Sequence, residues 1–318
     1  VSNYSVVQAK QDLFLVSTGF SRQAFRKFPK LVAQADIIHY HFPNPFADLL
    51  HFASKVNKPS VITYHSDIIK QKYLGKLYKP LMLKFLDSVD RIIATSPNYL
   101  HTSDVLMRYQ DKVSVIPIGF EKQSLPSVTA NRLAYWKNRL PKHFFLFIGA
   151  MRYYKGLHIA LDAIKGTDLQ IVLAGIGPLE HELKRRAKKE HIDNLVFLGR
   201  ISEQDKVAIQ QLSYAFVFPS HLRTEAFGVS LVEAAAFSKP LISCEIGTGT
   251  TFINVDHVTG LVIPHSSPDA LRSAMYWLLA NPEKAKEFGQ NAAIRHEQFF
   301  TANKQALAYV ELYKSMRG

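Results

Sequence analysis

Two tandem α/β units, each a parallel sheet wrapped on both faces by helices, are what this sequence predicts. Three observations carry the prediction. Short, nearly continuous apolar runs alternate with stretches of helical length, as strands buried on both faces require. The rhythm breaks once, at 120–143, where the chain turns polar and holds Pro126 and Pro141, and then restarts at Phe144. A chain of 318 residues also exceeds what one hydrophobic core ordinarily supports.

Taken in order, the first unit begins with a strand region at 5–17, a basic amphipathic helix at about 21–35, and a short apolar strand at 35–41 that includes His39 and His41. A Pro-rich turn at 42–45, a helix at about 46–56 and a strand at 59–67 follow, the last ending on His65, Ser66 and Asp67. A basic helix, a strand at 90–96, a helix at about 97–109 and a strand at 112–117 complete the unit. The stretch 120–143, with one helix near 131–139, reads as the interdomain connection. The second unit contains strands at 144–149, 169–175, 195–199, 215–219 and 241–244, with helices at about 156–164, after the Gly177–Pro178 turn, and at 202–212. Helices at 268–279, 282–297 and 301–316 end the chain. The expected division is a first domain over 1–122, a linker over 123–143 and a second domain over 144–298. The remaining helix, 299–318, is expected to pack back on the first domain.

Composition narrows the function. The net charge of +13, from 39 basic and 26 acidic residues, divides almost evenly between the halves and asks for a polyanionic partner. It bunches at Arg22, Arg26, Lys27 and Lys30, and again at Lys70, Lys72, Lys76, Lys79 and Lys84 among Tyr and Leu residues. Such a pattern fits an anionic membrane surface or an ordinary solvated helix face. Nucleic acid is not expected as a partner, because the chain carries no recognised binding module and no sheet face that alternates basic and aromatic residues. The single cysteine, Cys244, excludes an internal disulfide. With no signal peptide and no apolar run of bilayer length, a cytoplasmic location is expected.

The chemistry concentrates at 221–264, where Glu225 stands ahead of a helix and Glu233 inside it. A helix N-terminus offers unpaired N–H groups and partial positive charge, which suits a phosphate or diphosphate. Gly228, lacking a Cβ, lets a ligand approach the backbone there. Glu233 lies about a turn and a half along, where a carboxylate can accept hydrogen bonds from a sugar diol. The alternative is two helix charges stabilised by the macrodipole, which leaves Gly228, Ser230 and the turn 247–250 without a reason. Arg152 and Lys155 fall between a strand end and a helix start, where cations offset a leaving diphosphate's charge. His65 ends a strand and is either a substrate contact or a capping histidine. His39 and His41 alternate on their strand but lack a third ligand with metal-site spacing, so no metal is expected.

These residues resemble family-4 retaining glycosyltransferases of the GT-B fold, above all bacterial O-antigen and exopolysaccharide mannosyltransferases. The likeness rests on the block from Glu225 to Glu233 with its lead-in 218–220 and its sequel 245–250 and 259–264. The stretches 64–67, 93–97, 116–119, 153–156, 175–178 and 197–200 follow the family's order. It implies two Rossmann-like domains facing a cleft and transfer of a hexose, with GDP-mannose the preferred donor and UDP- or ADP-hexoses the alternatives. The implied acceptor is a lipid-linked glycan, and no cofactor is needed. By the same resemblance, Glu225 and the backbone of Ala226, Phe227 and Gly228 hold the donor sugar, and the N–H groups of Val229 and Ser230 meet the diphosphate. Glu233 takes the ribose, Arg152 and Lys155 the phosphates, Leu198 to Arg200 the base edge, and the Gly175–Gly177 turn adjoins them. His65 faces the transferred sugar. Two departures stand out. Ala150 occupies the position where the family commonly has arginine, and the family's leading strand and glycine-rich loop do not precede Val1. On that resemblance the chain is expected to be truncated at its N-terminus, with a destabilised first domain and impaired activity. A sugar-nucleotide epimerase or a binding-only descendant of the fold is the competing expectation.

Overall fold

The computed structural model describes residues 4–15, 18–68 and 72–317, and nothing at 1–3, 16–17, 69–71 or 318. Two parallel sheets form the frame. The first takes strands Ile38–Phe42, Ser60–Tyr64, Arg91–Ala94 and Val113–Val115 in chain order. The second has six strands: Phe145–Ile148, Ile171–Ala174 and Leu195–Gly199 run outward on one side, and Ala215–Phe218, Leu241–Glu245 and Gly260–Pro264 on the other. Its order therefore reverses between Phe145–Ile148 and Ala215–Phe218, a topological switch point of the kind where open α/β sheets hold ligands. The chain is thus an α/β protein with two Rossmann-like sheets, as its apolar rhythm predicted.

Each strand buries because both of its faces are covered. In the second sheet, Phe145, Phe147, Ile171 and Leu173 point into one core, and Leu146, Val172, Phe216 and Phe218 into the other. The first sheet packs Ile62, Tyr64, Ile92 and Ala94 against its helices on one face. Its other face, Val61, Ile93 and Ile116, is covered by Tyr309, Leu312, Tyr313 and Met316 of the last helix, Ala302–Met316. The chain returns to the first sheet where Phe120 N–H donates to Phe300 O at 2.8 Å. Cys244 is buried, which pushes its thiol up to about 12.

Local chemistry moved several expected boundaries. The helix Arg22–Gln34 is capped by Ser21, whose Oγ accepts from Ala24 N–H at 3.2 Å. The expected helix at 97–109 is two, Pro97–Thr102 and Asp104–Arg108, because Ser103 stops the first and caps the second through Leu106 N–H. The turn at 247–250 leads into a short helix, Thr250–Ile253, which the sequence reading did not contain. The strand region expected at 5–17 contains only Leu13–Leu15, paired antiparallel with Thr18–Phe20, and its last two residues lie outside the described ones. The basic segment spans the helix Lys72–Ser88; Lys70 and the side chains of Lys72 and Lys76 also lie outside the described residues. Among the described residues no helix is long and apolar enough to cross a membrane.

Candidate active site

The carboxyl ends of the second sheet open onto a cleft of about 720 Å³ whose opposite wall holds His65 and Ser66. Each lining segment follows a strand. Ile148 to Ala150 run off the end of the first strand of that sheet and Ala174 to Ile176 off the second, Arg200 and Ile201 follow the third, and Thr224 to Ser230 the fourth. Two glycines let these loops converge. Gly175 has φ +134°, and a Cβ there would come 2.1 Å from Gly149 O. Gly228, at φ +102°, is the N-cap of helix Val229–Ala236, so the chain turns into the helix in a left-handed conformation that other residues resist. Val229 and Ser230 begin that helix and line the cleft, and N–H groups in a helix's first turn have no carbonyl partner one turn earlier.

Charges are arranged in two groups along this wall. Lys155 and Glu225 form a buried ion pair between Nζ and Oε2, with both side chains 11% exposed. Ser220 Oγ donates to the same oxygen at 3.3 Å, and the ammonium lies 4.7 Å from the Phe218 ring centroid. Further along, Glu233 Oε2 accepts from Lys206 Nζ at 3.3 Å and from Gln210 Nε2 at 3.5 Å. Burial raises the Glu233 carboxyl above its usual range, and the Lys206 charge partly opposes that. Lys206 also pairs with Glu203 at 2.8 Å, and both line the cleft.

On the facing wall, His65 Nε2 hydrogen-bonds His41 Nδ1 at 2.8 Å. Burial, then the His41 charge, lowers the His65 pKa. The next residue but one, Asp67, accepts from Tyr64 OH at 2.9 Å and Ser103 Oγ at 2.7 Å. Its other oxygen faces Arg223, which also donates to Gly247 O at 2.7 Å and Thr102 O at 3.0 Å. Asn98 Nδ2 donates to Thr251 Oγ1 at 3.0 Å beside them, so the two domains are hydrogen-bonded at one rim of the cleft.

Of the residues singled out by sequence, the cleft gathers His65, Lys155, Gly175, Arg200, Glu225, Ala226, Phe227, Gly228, Val229, Ser230 and Glu233. Three stand apart from its lining. Arg152 is exposed; Leu198 packs half-buried against the core; Gly177 sits where a Cβ would meet Met151 backbone at 2.5 Å. Sequence reasoning missed Lys206, Glu203 and Arg223, and it weighed His41 as a metal ligand, without the contact to His65. Glu203 reads as a first-turn acid behind the Ser202 cap, and only its strand-end neighbour Arg200 signalled the cleft. Among the described residues no group of three His, Cys, Asp or Glu side chains could hold a metal ion.

Comparison with known proteins bears on the family and the fold. Residues 134–295 match the family described as "Glycosyl transferases group 1", and residues 5–123 match "Glycosyltransferase Family 4". The chain is 56% identical over 297 residues to the D-rhamnosyltransferase WbpZ of Pseudomonas aeruginosa, covering 93% of this chain and 78% of that protein. It is 48% identical over 314 residues to the O-antigen chain mannosyltransferase C of Escherichia coli, covering 99% and 84%. Among solved structures, sucrose-phosphate synthase from Thermosynechococcus elongatus superposes with TM-score 0.75 at 22% identity, covering 95% of this chain and 81% of that one. Anabaena HepE in complex with UDP does so with TM-score 0.77 at 16% identity, covering 92% and 82%. These two likenesses are of fold.

Proposed function

The chain belongs to the group 1, family 4 glycosyltransferases, and on that premise we propose that it is a retaining hexosyltransferase that moves a mannose-type sugar from a GDP-linked donor onto a lipid-linked oligosaccharide, in O-antigen or exopolysaccharide synthesis. The observation that carries this reading is the order of groups along the cleft: the Lys155–Glu225 pair, the helix start at Val229 and Ser230, then Glu233 with Lys206 and Glu203. That order matches hexose, diphosphate, ribose and base in a nucleotide-sugar.

In this reading Glu225 and the backbone of Ala226 to Gly228 grip hydroxyls of the sugar, and His65 meets it from the other domain. Val229 and Ser230 N–H groups, together with the helix dipole, hold the diphosphate. Lys155, already beside Glu225, stabilises the charge that grows on the leaving phosphate. Arg152 is exposed and contributes from outside the cleft lining. Retention follows a front-face path in which the departing phosphate oxygen accepts the acceptor hydroxyl's proton. The protein then supplies positioning and charge rather than a base. Glu233 takes the ribose diol.

The base preference rests on Glu203 and Lys206. Guanine presents two adjacent N–H donors beside a carbonyl, which a carboxylate and an ammonium can meet together; uracil offers a single N–H between two carbonyls. Arg200 lines the same cleft as Glu203 and Lys206. The identity of 56% with a protein named as a D-rhamnosyltransferase, against 48% with one named as a mannosyltransferase, favours a second reading in which the sugar is D-rhamnose, the 6-deoxy form of mannose. The O-antigen reading is supported by the name of the second relative, O-antigen chain mannosyltransferase C, and the contact with an anionic membrane surface by the basic residues of the first domain.

A thermal-shift panel of GDP, UDP and ADP, with GDP-mannose and GDP-D-rhamnose, tests the donor, since a ligand that binds the folded state raises apparent stability by mass action. Stabilisation by GDP compounds that Glu233→Ala abolishes is the expected outcome. No response to any nucleotide overturns the reading; where GDP compounds do stabilise, transfer to a lipid-linked acceptor separates mannose from rhamnose.

A further inference from the structure

His39, His41, Thr63 and His65 lie on one face of the first sheet, because each pair is two residues apart on adjacent parallel strands in which His41 is opposite Thr63. Their side chains form a continuous line from the cleft to the last helix. His65 lines the cleft, and its Nε2 is 2.8 Å from His41 Nδ1, with the rings 12° from parallel. The His41 ring stacks on His39 at 4.9 Å between centroids. His39 is held at both nitrogens, by Tyr313 OH at 2.6 Å and Thr63 Oγ1 at 2.7 Å, and Thr63 Oγ1 is in turn 2.7 Å from Tyr309 OH.

Two imidazole nitrogens at that distance share one proton: with none there is no bond, and with two the N–H groups collide. We propose that His41 is a positioning residue for His65, sharing a single proton with it so that His65 is held with Nε2 turned inward and its Nδ1 edge presented to the donor sugar. The inference rests on the reading of His65 as the residue that faces the sugar. His39, clamped between Thr63 and the two tyrosines of the last helix, fixes the plane on which His41 stacks.

The groups facing the pair reinforce this. His39 is the nearest titratable side chain, and burial, with repulsion from His41 and His65, lowers its pKa to about 4, so it stays neutral under working conditions. Tyr309 and Tyr313 approach from the last helix, and burial raises both of them. Because His65 is lowered by burial and then by His41, replacing His41 with a neutral ring raises the pKa of His65. A packing role alone for His41 predicts no such movement.

The test measures turnover of GDP-mannose, read as release of GDP, across pH for the wild type, His41→Phe, His41→Asn and His65→Ala, with thermal melts as folding controls. His41→Phe keeps the stacked ring and loses the shared proton. The expected result is a loss of kcat of about tenfold with KM for GDP-mannose little changed and the acid limb of the kcat profile moved to higher pH. His41→Asn, whose amide stands where Nδ1 stood, recovers part of kcat. If His65→Ala is crippled while His41→Phe matches the wild type in kcat and acid limb, the positioning role is overturned. If His65→Ala itself turns over normally, the reading of His65 at the sugar falls first, and this inference with it.

Discussion

Arg223 of the second domain reaches across the cleft rim to Asp67 of the first, Nη2 to Oδ2 at 3.6 Å, with its guanidinium 5.4 Å from the Tyr99 ring centroid. The same side chain holds Gly247 O and Thr102 O, so one residue two positions from Glu225 ties its own loop, the 247–250 turn and the opposite domain together.

Replacing it loosens that tie. Arg223→Ala is expected to leave each domain folded, within about 1 kcal/mol, since the ion pair itself is partly exposed. The radius of gyration in solution scattering should grow, and kcat/KM should fall about tenfold or more through loss of the closed arrangement. An unchanged scattering profile with unchanged kcat/KM rejects the role.

The Lys155–Glu225 pair makes a second prediction. Removing one partner leaves the other charge buried, which costs about 3–5 kcal/mol. Lys155→Met should therefore lower the melting temperature more than the double variant Lys155→Met/Glu225→Gln, in which no buried charge is left alone. Both should be inactive. Chemical denaturation of the two variants side by side decides it, and equal destabilisation counts against the pair.

A third prediction follows from the proposed base contact at Glu203. Glu203→Gln should reduce stabilisation by GDP, roughly tenfold in affinity, while leaving UDP binding as it was. Glu233→Ala should weaken both. Isothermal titration with the two nucleotides reads the difference; a parallel loss for GDP and UDP in Glu203→Gln rejects a role in base choice.

The buried and half-buried histidines make stability depend on pH. His39 has a pKa of about 4 in the folded chain against an ordinary 6.5, so its folded value is depressed. As pH falls through 6.5 the unfolded chain takes up a proton that the folded chain resists. The stability is thus fully present above about 6.5 and is lost progressively down to about 4. His65 and His51 are also lowered, chiefly by burial, and act in the same direction. Thermal melts between pH 7.5 and 4 should show a midpoint falling by several degrees, and His39→Gln should flatten that slope. A midpoint independent of pH in that window contradicts the assignment.

Much of this was legible in the chain. Apolar runs such as those ending at Tyr64, Ile148 and Phe218 announced strands buried on both faces, and the residues after them announced the cleft, because a parallel sheet presents its strand ends on one side. Gly228 and the two glutamates marked the helix start. The division of the helix at Ser103 was missed, although Ser103 followed by Asp104 is a capping signal. Lys206 was not, because nothing near it in sequence indicates that its helix lies beside Glu233.

By itself the sequence determined which residues share a face and which stand at strand ends, since periods of 2 and 3.6 residues are local properties of the backbone. Only the tertiary structure decided the partners. Lys155 meets Glu225, Lys206 meets Glu233, His41 meets His65 and Arg223 meets Asp67 through a strand order that reverses in the second sheet, a fixed register in the first and a rim where the domains touch. Hydrogen bonds and ion pairs form only within about 3–4 Å, and no pattern of residue spacing along the chain specifies which distant segments come that close.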